Sequence, residues 1–164
     1  MKNLIVFMFI VVSLVSCAPA EVETNRNTSD FARGEVITTR GFVVGNMAGS
    51  LGKTFKAKLI FELDRRGFTA LDTDITPGNK ADFELVGEVK ADKKTVDLGT
   101  INGTPQTISD GSFVLKDVRV QVVRRKDKLT ARAYDLDLRS SSVTLSDVAR
   151  MFAERMKIDF KPVL

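Results

Sequence analysis

Residues 116–140 read KDVRVQVVRRKDKLTARAYDLDLRS, and the alternation of their apolar positions decides the fold. Val118, Val120 and Val122 recur every second residue, which places them on one face of a strand, and Tyr134, Leu136 and Leu138 do the same. A three-residue turn at Lys126-Asp127-Lys128 sets Val118, Val120 and Val122 opposite Leu136, Tyr134 and Arg132. On the other face it sets Arg119 opposite Asp135. The first strand reaches back to Ser112, but there Phe113 and Leu115 hold the opposite phase. A slip of one residue at Lys116-Asp117 predicts a β-bulge.

Upstream, Ala81–Ala91 alternates Phe83, Leu85, Gly87 and Val89 with Asp82, Glu84, Val86 and Glu88, the pattern of a half-buried strand. Lys93-Lys94 is expected to turn it into a partner strand, Thr95–Ile101. Glu35–Val44 is rich in β-branched residues and predicts a strand that ends at Gly45. Ser50 then caps a helix with Leu51, Phe55, Leu59, Ile60 and Leu63 at helical spacing, closed by Arg65, Arg66 and Gly67. Phe68–Thr73 predicts a short strand and Pro77-Gly78-Asn79 a turn. Thr144, with Asp147 three residues on, opens a second helix carrying Leu145, Val148, Met151 and Phe152. The order β-α-β-β-β-β-β-α predicts an α+β fold, two helices packed on one face of a mainly antiparallel sheet of five or six strands.

The chain begins differently. Lys2 precedes nine apolar residues, Leu4–Val12, a run too short to cross a hydrocarbon core about 30 Å thick. It reads as the apolar region of a secretory leader. Leu14-Val15-Ser16-Cys17 then resembles the bacterial lipobox. That resemblance implies diacylglyceryl transfer to the Cys17 thiol, cleavage before Cys17 and acylation of the new amino group. Several acyl chains anchor a protein stably where one does not. Residues 1–16 are therefore expected to be a lipoprotein signal peptide, and 17–34 a lipidated Cys with a flexible tether. Residues 35–164 are expected to form a single α+β periplasmic domain. The tether reading rests on Pro and charged clusters without a sustained apolar period. Stretched, it would reach about 50 Å. Ala18, standing where an Asp would favour inner-membrane retention, resembles the outer-membrane class, facing the periplasm.

Composition removes several mechanisms. The chain has no His and one Cys among 164 residues, so no Ser-His-Asp triad, Cys-His dyad, intramolecular disulfide or Cys-based zinc site can be built within it. Loss of the leader removes one charge, Lys2, from a formal +4. No metal or cofactor is expected, and the slight net charge, with no aromatics among the basic residues, argues against nucleic acid. Gly45–Thr54 runs from a strand through a glycine-rich loop into Gly52-Lys53-Thr54, the order of a phosphate-binding loop. Met47 stands where that motif needs Gly, so the reading is a strand-to-helix turn without nucleotide. Asp72/Asp74 and Asp135/Asp137 are carboxylate pairs at strand spacing, and outward-facing strand positions account for both. Arg119, Arg124, Arg125, Lys126, Lys128 and Arg132 gather on one hairpin. They are candidate residues for an anionic partner, against the plainer reading of a charged tip that discourages edge pairing.

Residues 50–90, SLGKTFKAKLIFELDRRGFTALDTDITPGNKADFELVGEVK, resemble YajG-like small envelope lipoproteins in their helix, Arg-Gly-aromatic stop, short strand and long strand. Residues 116–140 followed by a helix keep the same order, so the resemblance covers about two-thirds of the chain. LptE-type assembly lipoproteins share the general plan, but their Gly-aromatic-x-Leu-Arg segment after the lipidated Cys is replaced here by Ala18-Pro19-Ala20-Glu21. The resemblance implies a lipid-anchored, non-enzymatic protein that binds another envelope component, protein or glycolipid, in outer-membrane assembly or maintenance. The alternatives are a hydrolase or transferase of envelope polymers and a surface-exposed exclusion or resistance lipoprotein.

Overall fold

The computed structural model describes residues 21–24, 29–32, 34–73, 80–101, 104–138 and 143–163, with backbone pairing alone over 95–101 and 104–111. The leader, Cys17 and its expected lipid, Asp74 and the Pro77-Gly78-Asn79 turn lie outside the described residues.

The fold is α+β. In chain order the elements are β1 (Glu23–Thr24), β2 (Ile37–Thr39), β3 (Phe42–Ala48), α1 (Gly52–Asp64), β4 (Ala70–Asp72), β5 (Phe83–Ile101), β6 (Thr104–Arg124), β7 (Thr130–Asp137), α2 (Leu145–Asp159) and β8 (Phe160–Pro162). Six strands form one sheet in the order β1-β7-β6-β5-β3-β4, and β2 pairs with β8 in a second, two-stranded sheet. Both helices lie on one face, where Phe55 of α1 meets Phe152 of α2 edge-on at 5.8 Å between ring centroids. Phe42, Phe68, Phe83 and Phe160 extend the core with further edge and tilted contacts.

The quoted stretch folds as its periodicity dictates. Val118, Val120 and Val122 pair with Leu136, Tyr134 and Arg132, and Arg119 pairs with Asp135. Lys90 pairs with Asp117 and Ala91 with Leu115, so Lys116 is the extra residue of the expected bulge. The turn spans one residue more than expected. Arg124 and Leu129 share a backbone hydrogen bond around it, and Lys128 takes a left-handed conformation (φ 62°) without glycine. α2 opens on a complete capping box, with the Thr144 hydroxyl accepting from the Asp147 N–H and the Asp147 carboxylate accepting from the Thr144 N–H.

The sheet is mainly antiparallel, as expected, with parallel pairing only where β3 meets β4 and β5. α1 is the crossover that parallel β3 and β4 require. Three local expectations differ. The expected strand Glu35–Val44 divides at Arg40-Gly41 into β2 and β3, and β3 continues past Gly45 to Ala48. α1 has Leu51 at its N-cap with no side-chain cap, so Ser50 does not serve as one. Lys93-Lys94 is not a turn: β5 runs on to Ile101, pairs there with Thr104, and only shifts register between Lys93 and Thr95. Lys-Lys lacks the positive-φ preference of a tight turn, whereas Asn102-Gly103, the two residues left between the strands, has the composition of one.

Part of the stretch expected as a tether is bound to the domain. Glu23 and Thr24 pair with Asp135 and Tyr134 as an edge strand, and Val22 is buried. β7 would otherwise present an open edge, and covering it satisfies backbone groups on both segments.

Candidate functional site

Arg132 lies in the wall of a concavity. It projects from β7, opposite Val122, and is only 4% exposed. Nη1 donates to Ser29 Oγ at 3.1 Å and to the Ala131 carbonyl at 2.8 Å. Nη2 donates to the carbonyls of Ala32 at 3.4 Å and Glu35 at 2.6 Å. These partners are neutral oxygens, so the buried cation is held by dipoles and clamps residues 29–35 onto β7. Asp30 adds a second tie, its N–H donating to the Thr130 carbonyl and its carboxylate accepting from the Thr130 N–H at 2.7 Å.

Between this clamped segment and the C-terminal half of α2 lies a cleft of about 490 Å³, walled by Thr24, Ser29, Phe31, Arg132, Arg155 and Asp159. Arg155 Nε donates to Thr24 Oγ1 at 2.8 Å and stands 3.9 Å from Asp159 Oδ2. Asp159 accepts from the Tyr134 hydroxyl at 2.8 Å. Burial first, and then the Asp159 carboxylate, raises the Tyr134 phenol above its ordinary value, so at neutral pH it is a fixed donor rather than a base. Val36 and Ile158, 44% and 62% exposed, give the mouth an apolar rim. Arg155 also borders two shallower hollows beside Glu21 and Val22. A cationic head group with aliphatic flanks suits a ligand or partner segment that is polar or anionic at one end and apolar beside it.

The six expected basic residues do not form one patch. Arg132 is inside the wall just described. Arg119 lies on the open sheet face, bridging Asp117 at 3.1 Å and Asp135 at 3.5 Å. Arg124 makes a forked contact with Asp127, holding that carboxyl below its usual range, and stacks over Phe31 at 4.7 Å. Arg125 donates to the Ala81 carbonyl at 3.3 Å, Lys128 stands 3.6 Å from Glu84, and Lys126 is exposed. Most of this charge is thus answered locally. Through Phe31, Arg124 nonetheless borders the cleft.

The other motifs resolve into packing. At Gly52 a Cβ would fall 1.8 Å from the Met47 carbonyl oxygen, and at Gly49 (φ +98°) 2.1 Å from that of Val89. These glycines let β3, β5 and α1 approach closely. Asp72 pairs with the buried Lys56 at 2.7 Å. Asp135 serves the ion pair with Arg119. Sequence reading missed Arg155 and Asp159. Their signal was a cation and an anion four residues apart on the second helix, near the chain's one tyrosine in space but not in sequence.

No family model matches the chain, and no curated protein matches it. Among solved structures it is similar to PelC from Paraburkholderia phytofirmans. A point variant of PelC, a dodecamer, superposes with a TM-score of 0.55 at 16% identity over 85% of this chain and 98% of the other. PelC in a second crystal form, also a dodecamer, gives 0.53 at 14% identity over 88% and 99%. At such identities the likeness is one of fold.

Proposed function

We propose that the protein is a lipid-anchored, non-enzymatic envelope lipoprotein that binds another envelope component, protein or glycolipid, through the Arg132/Arg155 cleft. It acts at the outer membrane, facing the periplasm, in assembly or maintenance of that membrane, the role the YajG-like resemblance implies. The observation that carries this reading is the docking of residues 21–24 and 29–32 on the domain. Cys17 is five residues from the buried Val22, a chain length of at most about 18 Å. A lipid on Cys17 therefore holds the domain, and the hollows beside Val22, close to the head groups instead of at the end of a 50 Å tether. The rim of Val36 and Ile158 around Arg155 fits a partner that combines charge with apolar surface.

A second element follows from the dodecameric neighbours, whose fold covers nearly all of their own chain. We extend self-association to this chain, so that several copies present the same cleft.

The test is palmitate labelling in cells, comparing the full chain with Cys17→Ser. Label and membrane sedimentation are expected in the first and lost in the second. Equal membrane recovery of both would defeat the lipid anchor.

A further inference from the structure

We infer that the cleft between α2 and the segment clamped by Arg132 receives the phosphoethanolamine head group of a lipid, its phosphate on Arg155 and its ammonium on Asp159. The inference rests on the reading of this cleft as the partner site and names the chemistry that fills it.

Two groups in the cleft keep hydrogen-bonding capacity that the fold does not use. Arg155 spends Nε on Thr24 Oγ1, at 2.8 Å, while its two terminal nitrogens make no hydrogen bond among the described residues. The tie at Nε orients the guanidinium and leaves its outer fork open, a geometry that matches the paired oxygens of a phosphate. Asp159 accepts the Tyr134 hydroxyl on Oδ2, and its Oδ1 has no partner among the described residues. Arg155 Nε stands 3.9 Å from Asp159 Oδ2, beyond hydrogen-bond length, so neither group consumes the other. Arg132, by contrast, gives its terminal nitrogens to neutral oxygens and adds only its field.

The signs select the ligand. The cleft carries Arg132 and Arg155 against Glu35 and Asp159. A lone anion on Arg155 would lie against the Asp159 carboxylate, and a lone cation on Asp159 would lie against Arg155. A zwitterion whose two charges are one short linker apart answers both. A primary ammonium donates hydrogen bonds to a carboxylate, which a trimethylammonium cannot do. Quaternary ammonium groups are held by aromatic cages. Among the described residues the one aromatic lining this cleft is Phe31, whose ring already stacks with Arg124. Val36 and Ile158, 44% and 62% exposed, leave apolar side chains in water at the mouth, where the acyl part of a lipid would cover them. Glu21 and Val22, from which the chain leads back to Cys17, line hollows that Arg155 also borders. A lipid on Cys17 therefore brings the cleft to the head-group layer.

The experiment is native mass spectrometry of the full chain in dodecyl maltoside. The protein is offered an equimolar mixture of dihexanoyl lipids with phosphoethanolamine, phosphocholine and phosphoglycerol head groups. The phosphoethanolamine adduct should exceed each of the others about tenfold, the difference that one charge-assisted hydrogen bond makes. Asp159→Asn keeps an oxygen for Tyr134 and removes the charge, so it should abolish that preference. Arg155→Met should lower all three adducts about tenfold, with thermal melts reading the fold of both variants. Equal adducts on the wild type, or a preference that Asp159→Asn leaves intact, would overturn the head group. Competition by free phosphoethanolamine at equal concentration would overturn a lipid as its source. The cleft survives either result as the partner site if its rim still crosslinks in cells, dependent on Arg155, to a protein or a different lipid. Loss of that crosslink as well overturns both.

Discussion

Arg132 is the residue on which the cleft depends. Its head group is buried, and three of its four hydrogen bonds join β7 to a segment about a hundred positions earlier in the chain, the fourth going to the Ala131 carbonyl. Arg132→Met should lower stability by about 3 kcal/mol, because it strands carbonyls that the guanidinium now satisfies. Urea unfolding measures the loss, and limited proteolysis should move to residues 25–35. Arg132 was legible as a cation on a hairpin but not as a buried one, since its neutral partners come from a segment whose composition reads as open chain. Tyr134 makes a second prediction. Its folded pKa is raised, so the folded state holds the phenolic proton more tightly than the unfolded chain does. The contribution is full below the unfolded value of about 10 and is lost as pH rises above it. The chain has one Tyr and no Trp, so ultraviolet titration reads this group alone. Tyrosinate should appear only together with unfolding. A reversible titration near the free value in the folded protein would show that the bond to Asp159 does not form.

Elements were legible wherever a local pattern has a single outcome. The valine period of β6, the bulge at Lys116 and the Thr144 capping box all depend on neighbours close in sequence, and all formed as expected. The pairing partners of β3 were not legible at all, because parallel pairing is settled by the α1 crossover and not by anything within β3. The break at Gly41 and the extension of β5 through Lys93-Lys94 were missed for a related reason. In both cases tertiary pairing outweighed a weak local turn signal, and the stronger Asn102-Gly103 signal lay eight residues further on. The glycine-rich entry to α1 gives the test at this scale. Gly52→Ala pushes a Cβ into the Met47 carbonyl and should cost about 2–3 kcal/mol. Lys53→Met, at an exposed position, should change stability by no more than about 0.5 kcal/mol. A phosphate-binding loop would show the reverse sensitivity on addition of inorganic phosphate: stabilisation of the wild type that Lys53→Met abolishes.

At the scale of the whole molecule, the N-terminal segment and the cleft form one arrangement. Glu23 and Thr24 cover the edge of β7, Ser29, Phe31 and residues 34–36 supply one wall of the cleft, and α2 supplies the other. The candidate site was therefore legible only in part: Arg132 from the charge of its hairpin. Arg155 and Asp159 became part of a site only when α2 packed beside the docked segment. The most direct measurement is photo-crosslinking in growing cells from a photoreactive residue at position 158 on the cleft's rim, followed by mass spectrometry of the adducts. A discrete adduct to one envelope protein or glycolipid, lost when Arg155→Glu reverses the charge of the cleft, is the predicted result. A chain that stays folded and membrane-bound yet gives no adduct, or adducts indifferent to Arg155→Glu, would contradict the cleft as the partner site.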